Sequence, residues 1–253
     1  MSVEHNIPTN LRTLRILEVI GKSDSPMTPT QINKELGLPK QTVHRLCKTL
    51  TQEGYLVKDS AGKLLRSGRR LRQMASGILY SSHTHTGRHQ ILIDVARQVS
   101  ETVNFVVPQD TGMKYLDRVE TDWPFRIQLP VGTHVPFHCT ASGKTFLASL
   151  SSAKRKAMIE SLELKKLTEN THTDPAGLGE ELEKIARQGY ALDNEEFMQG
   201  MVAISVPVKD PQGRFFAALA FHGPVQRVSA ETVVDQLDVL LAGAAKLTKS
   251  IFS

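Results

Sequence analysis

The chain has almost no cysteine. Cys47 and Cys139 sit in separate segments, which excludes a disulfide framework and points to a reducing cytosol. Long apolar runs are missing too. The longest, "FFAALAF" at 215–221, falls far short of the roughly 18 residues a membrane span needs, so no membrane partner is expected. The opening "MSVEHNIPTN" lacks a basic stretch followed by an apolar core, so no secretory leader is expected and the protein reads as cytoplasmic. There is no internal repeat, no low-complexity tract, and no G-x-S-x-G elbow or Cys/His signature of nucleophilic catalysis. What is present, 40% apolar residues at mean hydropathy −0.22 over 253 positions, suits one large or two small globular domains.

Acid is scarce in the first third alone. Residues 1–82 carry 13 Lys/Arg against 6 Asp/Glu, whereas residues 83–253 carry 18 against 20. The whole basic excess lies in the N-terminal part, as in a polyanion-binding module joined to a near-neutral domain. Leu11, Leu14, Leu17 and Ile20, widened by Ile16 and Val19, predict a helix over 10–21. Thr28, Pro29 and Gln31 supply an N-cap, a first-turn proline and a capping box for a second helix that Gly37 stops. Pro39 opens a third over 39–52, with Val43, Leu46, Cys47 and Leu50 on its apolar side. At about 100° per residue, Gln41, Arg45, Lys48 and Gln52 point away from that stripe, with Thr42 and Thr49 on one flank and His44 on the other. A merely solvated face would mix signs, yet Glu53 is the one acid between residues 36 and 58. Arg and Lys can pair with guanine and Gln with adenine, so the third helix reads as a DNA-recognition helix. Short strands at 55–57 and 64–65 about the turn "DSAG" then make the wing of a winged helix-turn-helix. The predicted DNA-contacting set is Thr28, Lys40, Gln41, Thr42, His44, Arg45, Lys48 and Thr49, with Lys58, Lys63 and Arg66 of the wing on phosphates.

The segments "LRTLRILEVI", "MTPTQINKELGLPKQTVHRLCKTLTQEGYL" and "GRRLRQMASGIL" resemble the DNA-binding half of the IclR-type bacterial transcription regulators. Leu71, Met74, Ala75, Ile78 and Leu79 predict an amphipathic linker helix over 68–81, which the resemblance implies takes part in dimer pairing. His83, His85 and His89 follow; without a cysteine or carboxylate to complete a metal set they read as a hydrophilic junction.

Beyond residue 87, helix and strand signals alternate without βαβ order. A helix is expected at 88–100, and strands at "TVNFVVP", "MKYLDRVE", around Ile127, and at 190–193, 202–208 and 215–222. Further helices are expected from "TASGKTFLASL", at 152–162 and 175–188 with Ser151 and Asp174 as N-caps, and at 229–251. Such hairpins with segregated helices make an α+β domain on a largely antiparallel sheet. "RIQLPVGTHVPFHCTASGKTFLA" and "IARQGYALDNEEFMQGMVAISVPVKDPQGRFFAALAFHGPVQR" resemble the family's effector-binding domain, which implies a GAF-like sheet with a small-molecule pocket. The expected division is 1–67 winged helix-turn-helix, 68–82 linker helix and 83–253 effector domain.

"ASGKT" imitates a Walker A ending, but the glycine required five residues before Gly143 is His138, so no nucleotide or other cofactor is expected. The same helix N-terminus can hold a carboxylate. His134, His138, Cys139 and His222 could converge on a metal, although nothing in their spacing demands it, and none is expected. The resemblance implies an acid held at Ala141 and Ser142, an acidic position at Asp193, an apolar wall of Ile127, Val135 and Met201, and three further pocket positions, here Ala203, Ala220 and His222. Alternation places His222 in phase with Phe216, Ala218 and Ala220. With few small polar groups and one imidazole, the pocket suggests a larger carboxylate, including aromatic acids. The reading is therefore a ligand-responsive DNA-binding regulator, a repressor of a catabolic or transport operon. It would work as a dimer or dimer of dimers on a palindromic or pseudo-palindromic double-stranded operator. An activator of the same architecture, or an enzyme on a small acid with a DNA-binding appendage, are the alternatives.

Overall fold

The computed structural model describes residues 7–23, 25–81, 83–124, 126–127 and 129–252, leaving aside the side chains of 76, 79–81 and 83–85. The chain divides into two compact units after Ser81. Helices α1 (Arg12–Lys22), α2 (Pro29–Leu36) and α3 (Lys40–Gln52), strands β1 (Leu56–Lys58) and β2 (Leu65–Ser67), and helix α4 (Arg69–Ser81) form the first. Ile16, Ile20, Ile32, Val43, Cys47, Leu50, Leu56 and Leu65 make its core. The α2 capping box forms as expected: the Gln31 amide donates to the Thr28 hydroxyl at 3.2 Å, and the Thr28 amide to Gln31 Oε1 at 2.8 Å. Gly37 ends α2 at φ +63°, a conformation that costs a side-chain-bearing residue strain. At the end of α3, Gly54 N–H bonds Thr51 O and Tyr55 N–H bonds Leu50 O, a Schellman pair. That use of the Tyr55 amide starts the wing strand one residue later than its β-propensity suggests. On the other strand, the Leu64 amide is taken by the turn carboxylate of Asp59.

Of the first apolar stripe, Ile16 and Ile20 of α1 are buried, while Leu14 and, just before α1, Leu11 remain exposed. Met74 and Ile78 of α4 are exposed too. The expectations for Leu79, His83 and His85 rest on side chains outside the described residues.

The second unit comprises α5 (His83–Val99), β3 (Thr102–Pro108), β4 (Met113–Val119), β5 (His134–Val135), α6 (Ala141–Ser149), α7 (Ser152–Ser161), α8 (Pro175–Gln188), β6 (Ala191–Asn194), β7 (Met201–Lys209), β8 (Phe215–Pro224) and α9 (Leu237–Phe252). Its six strands run antiparallel in the order β5-β4-β3-β8-β7-β6. Alternation along β8 assigns the faces. Leu219 lies beneath Gly243 of α9, where a Cβ would come within 2.9 Å of it. Ala218 instead joins the core under α6 and α8 with Val106, Tyr115, Leu147 and Leu182. Helix α6 can lie this low because Gly143 meets the Phe137 backbone, where a Cβ would come within 2.3 Å of the carbonyl oxygen.

Three expectations are corrected. Residues 126–127 form no strand: the Ile127 carbonyl accepts from Arg118 Nη2 at 2.6 Å instead of a ladder partner, and β5 forms the edge. Ser151 makes no side-chain cap, whereas Asp174 Oδ2 accepts from the Gly177 amide at 2.7 Å. The final helix starts at Leu237, because Ser229 and Thr232 close a hydroxyl-bonded turn before it. Among the described residues no helix is long and apolar enough to cross a membrane.

Candidate functional site

In the first unit, α3 and the wing frame an open groove. His44, Arg45 and Lys48 face Lys58 and Lys63 across it, and Thr28 lines one end. Asp59 Oδ1 accepts from the Lys63 and Leu64 amides at 2.9 and 3.0 Å, which shapes the turn of the wing. Lys40, Gln41 and Thr49 are exposed on α3 outside the groove, and Thr42 is half-buried. Arg66 departs from the expected set. Paired with Val57, it lies on the opposite face of the hairpin from the Lys58–Leu65 pair that lines the groove.

In the second unit, a cavity lies between the sheet and the start of α6. Ala141, Ser142, Asp193, Met201, Ala203, Ala220 and His222 all line it, together with Asn104, Thr140, Tyr115 and Phe197. Ile127 and Val135 do not. The Ile127 carbonyl is engaged by Arg118, and Val135, paired with Met113, is in the core. The free space is about 20 Å³, room for about one water.

Each pole of the cavity is set by local chemistry. Thr140 Oγ1 caps α6 by accepting from the Gly143 amide at 3.1 Å, leaving Ala141 and Ser142 as first-turn amides with no carbonyl behind them in the helix. Asp193 Oδ1 accepts from the Glu196 and Phe197 amides at 2.8 and 3.2 Å; Oδ2 is buried with no hydrogen bond to a described residue. Burial, then the Glu196 carboxylate, push the Asp193 pKa up to about 7. Glu196 is held by the buried Lys144 of α6, which also lies 3.8 Å from Glu181. Glu195 Oε2 accepts from the Gly200 amide, so the "DNEE" acids shape the loop as much as they face the cavity.

At the other pole, the Arg118 guanidinium donates to Asn104 Oδ1 at 3.3 Å, and Asn104 Nδ2 lies 3.1 Å from His222 Nδ1. Arg118 Nε is 3.3 Å from Glu120 Oε1, an ion-pair contact whose angle does not make a hydrogen bond. Burial, and secondarily Arg118, lower the His222 pKa to about 4, so the ring is neutral at physiological pH. The Ile127 carbonyl offsets that shift slightly, yet His222 Nε2 has no hydrogen bond of proper geometry among the described residues. One residue back along β4, on the opposite face, Asp117 binds Arg88 Nε and His89 Nδ1 of α5, both at 2.9 Å.

The conceivable metal set does not converge. His134 is exposed, His138 Nε2 meets Lys165 O at 3.0 Å, and no group of three or more His, Cys, Asp or Glu could hold an ion among the described residues. Burial raises the Cys47 and Cys139 thiols to about 11 and about 12, which leaves them un-ionised.

A helix-turn-helix with a basic groove, followed by an α+β unit with a buried polar cavity, agrees with what matches this chain. Residues 11–60 fit the IclR helix-turn-helix domain, and residues 78–249 the bacterial transcriptional regulator IclR C-terminal domain. The chain belongs to the IclR family. It is 34% identical over 246 residues to the probable transcriptional regulator SauR of Cupriavidus necator, covering 97% of this chain and 98% of that one. The transcriptional repressor IclR of Escherichia coli is 28% identical, over 94% of this chain and 87% of its own. The crystal structure of Thermotoga maritima IclR superposes with a TM-score of 0.64 at 27% identity, over 97% and 99% of the two chains. As an IclR-family member the protein is a DNA-binding transcription regulator, not an enzyme, and its helix-turn-helix is the DNA-binding element.

Within this IclR-family cavity, Asn104, Thr140, Tyr115 and Phe197 were not anticipated from sequence, nor was Arg118 behind them. A signal existed for two of them. Asn104 interrupts the apolar strand "TVNFVVP" and Arg118 sits in "YLDRVE", and a polar residue inside a buried strand needs a partner.

Proposed function

We propose that this chain is a ligand-responsive repressor of a catabolic or transport operon, controlled by a small carboxylate held in the cavity beneath α6. The observation that carries the reading is the coincidence, in one buried space, of helix-start amides at Ala141 and Ser142 with two unsatisfied polar atoms, Asp193 Oδ2 and His222 Nε2. Buried polar atoms cost about 1–3 kcal/mol when unpaired, so a site that leaves two of them facing one space gains by binding a group that satisfies both. The ligand's carboxylate takes the α6 amides, and Asp193, protonated below about pH 7, donates to it or to an adjacent oxygen.

Room has to be made. A free volume of about 20 Å³ admits no acid until Met201, an unbranched and adaptable side chain, and the half-buried Phe197 turn aside. Phe197 hangs from Asp193 through its amide, and Glu196 from Lys144, so ligand entry works on the 193–200 segment and on α6 together. A ligand that favours one arrangement of these elements shifts DNA affinity by its differential affinity for the two states. On the DNA side, Arg45 and Lys48 read bases in the major groove, with Lys58 and Lys63 on phosphates. The exposed apolar residues Leu11, Leu14, Met74 and Ile78 pair two copies, matching a palindromic operator.

The test is fluorescence anisotropy on DNA from the region upstream of the neighbouring genes, with a panel of small carboxylic and aromatic acids. Wild type should release or remodel DNA with one of them, while Asp193→Ala and His222→Ala bind DNA normally and ignore it. If both variants respond like wild type, the cavity is not the effector site.

A further inference from the structure

Resting on that reading of the cavity, we infer that His222 is a fixed hydrogen-bond donor that selects short acids carrying a second oxygen acceptor at the end opposite the carboxylate, and that Asn104 and Arg118 are the positioning residues that set it. A guanidinium has donors only, so the Asn104 atom facing Arg118 Nη1 is the amide oxygen. The amide nitrogen then faces His222 Nδ1, 3.1 Å away, and because an amide NH₂ only donates, Nδ1 must accept. A neutral imidazole that accepts at Nδ1 carries its proton at Nε2. That Nε2–H has only the Ile127 carbonyl near it, without the geometry of a proper hydrogen bond, on a side chain 4% exposed that lines the cavity, so an acceptor bound in the cavity can take it. His222 therefore presents a donor, and its complement is an acceptor.

Sheet register gives the separation of the two poles. Asp193, Ala203 and His222 lie side by side on β6, β7 and β8, which puts Asp193 and His222 about 10 Å apart at the backbone, two strand spacings. Ala203 between them contributes only a methyl group, so the ligand lies across it. An acid with its second oxygen beside the carboxyl cannot serve both poles, whereas one with that oxygen at the far end can.

Three acids of equal heavy-atom count separate the possibilities: butanoate, 2-hydroxypropanoate and 3-hydroxypropanoate, titrated calorimetrically into the full chain. Wild type should bind 3-hydroxypropanoate about tenfold more tightly than the other two, the worth of one well-made hydrogen bond. His222→Leu should reduce that ratio to about one, and His222→Gln, which keeps an N–H donor, should restore part of it. Ring ¹⁵N shifts of histidine-labelled protein should place the His222 proton on Nε2 in wild type. In Asn104→Asp, whose carboxylate accepts, the proton should move to Nδ1 and the preference should fall. A proton on Nδ1 in wild type, or a preference that survives His222→Leu, overturns the inference while leaving the effector site standing. Failure of all three acids to bind wild type removes the small-acid reading and this inference with it.

Discussion

Asp193 and His222 are buried side by side across Ala203 with ionisation equilibria displaced in opposite senses. His222, at about 4 in the fold against about 6.5 when unfolded, refuses a proton that the unfolded chain accepts. Its contribution to stability is complete above pH 6.5 and is lost as pH falls towards 4, a swing of about 3 kcal/mol. Asp193, at about 7 against about 3.8, keeps a proton that the unfolded chain releases. It favours the fold below pH 3.8, and that benefit is lost as pH rises through 7. Between pH 4 and 6.5 the two slopes oppose each other. Asp193→Asn should therefore lose stability on acidification from pH 6.5 to 4, and His222→Gln should gain it, relative to wild type. Thermal unfolding across pH 4–8 reads both, and parallel curves for the three proteins would show that these side chains do not titrate as the burial implies.

Strand β4 presents Arg118 to the cavity side and Asp117 to helix α5, because neighbouring strand residues face opposite ways. Arg88 is fully buried on Asp117, with its guanidinium over the Phe105 ring. Asp117→Asn would remove the carboxylate that Arg88 and His89 share and should cost about 3–5 kcal/mol, measurable by urea unfolding. A loss under about 1 kcal/mol would mean that the Arg88–Asp117 pair contributes little to the fold. In the first unit, α3 and the wing divide their labour. Arg45→Ala should cost about 1–3 kcal/mol on the specific operator and little on random DNA. Lys63→Ala should weaken all sequences alike and reduce the salt slope by about 1. Equal losses of specific and random binding for Arg45→Ala would make it a phosphate contact.

For the whole molecule, a single winged helix-turn-helix reads too few base pairs to find one site in a genome, which favours two copies on related half-sites. Leu14 and Ile78 are 52% and 58% exposed, large apolar side chains that a second copy would cover in the proposed pairing. Leu14→Glu with Ile78→Glu should lower the mass seen by light scattering at micromolar concentration and weaken operator binding together. An unchanged mass would move the pairing surface elsewhere.

The N-terminal unit was legible from sequence because its signals are local. Capping box, Gly37, the apolar spacing of α3 and the Asp59–Gly62 turn each act within a few residues, and the basic face follows from helical geometry alone. Resemblance led to seven of the residues that line the cavity but not to Asn104, Tyr115, Thr140 or Phe197, and it also named Ile127 and Val135, which do not line it. Local pattern misjudged the segment around Ile127, since an isoleucine flanked by polar residues looks like a strand until a distant arginine claims its carbonyl. The partners of charge were likewise invisible in sequence. Lys144 meets Glu196 across 52 residues and Asn104 meets His222 across 118, and no periodicity encodes such pairings. Sequence by itself determined the capped and amphipathic helices of the N-terminal unit, because each depends on spacing along one element. Only the tertiary structure decided which polar atoms stay unsatisfied and which way His222 carries its proton, because a buried group's state is set by whatever the fold packs against it.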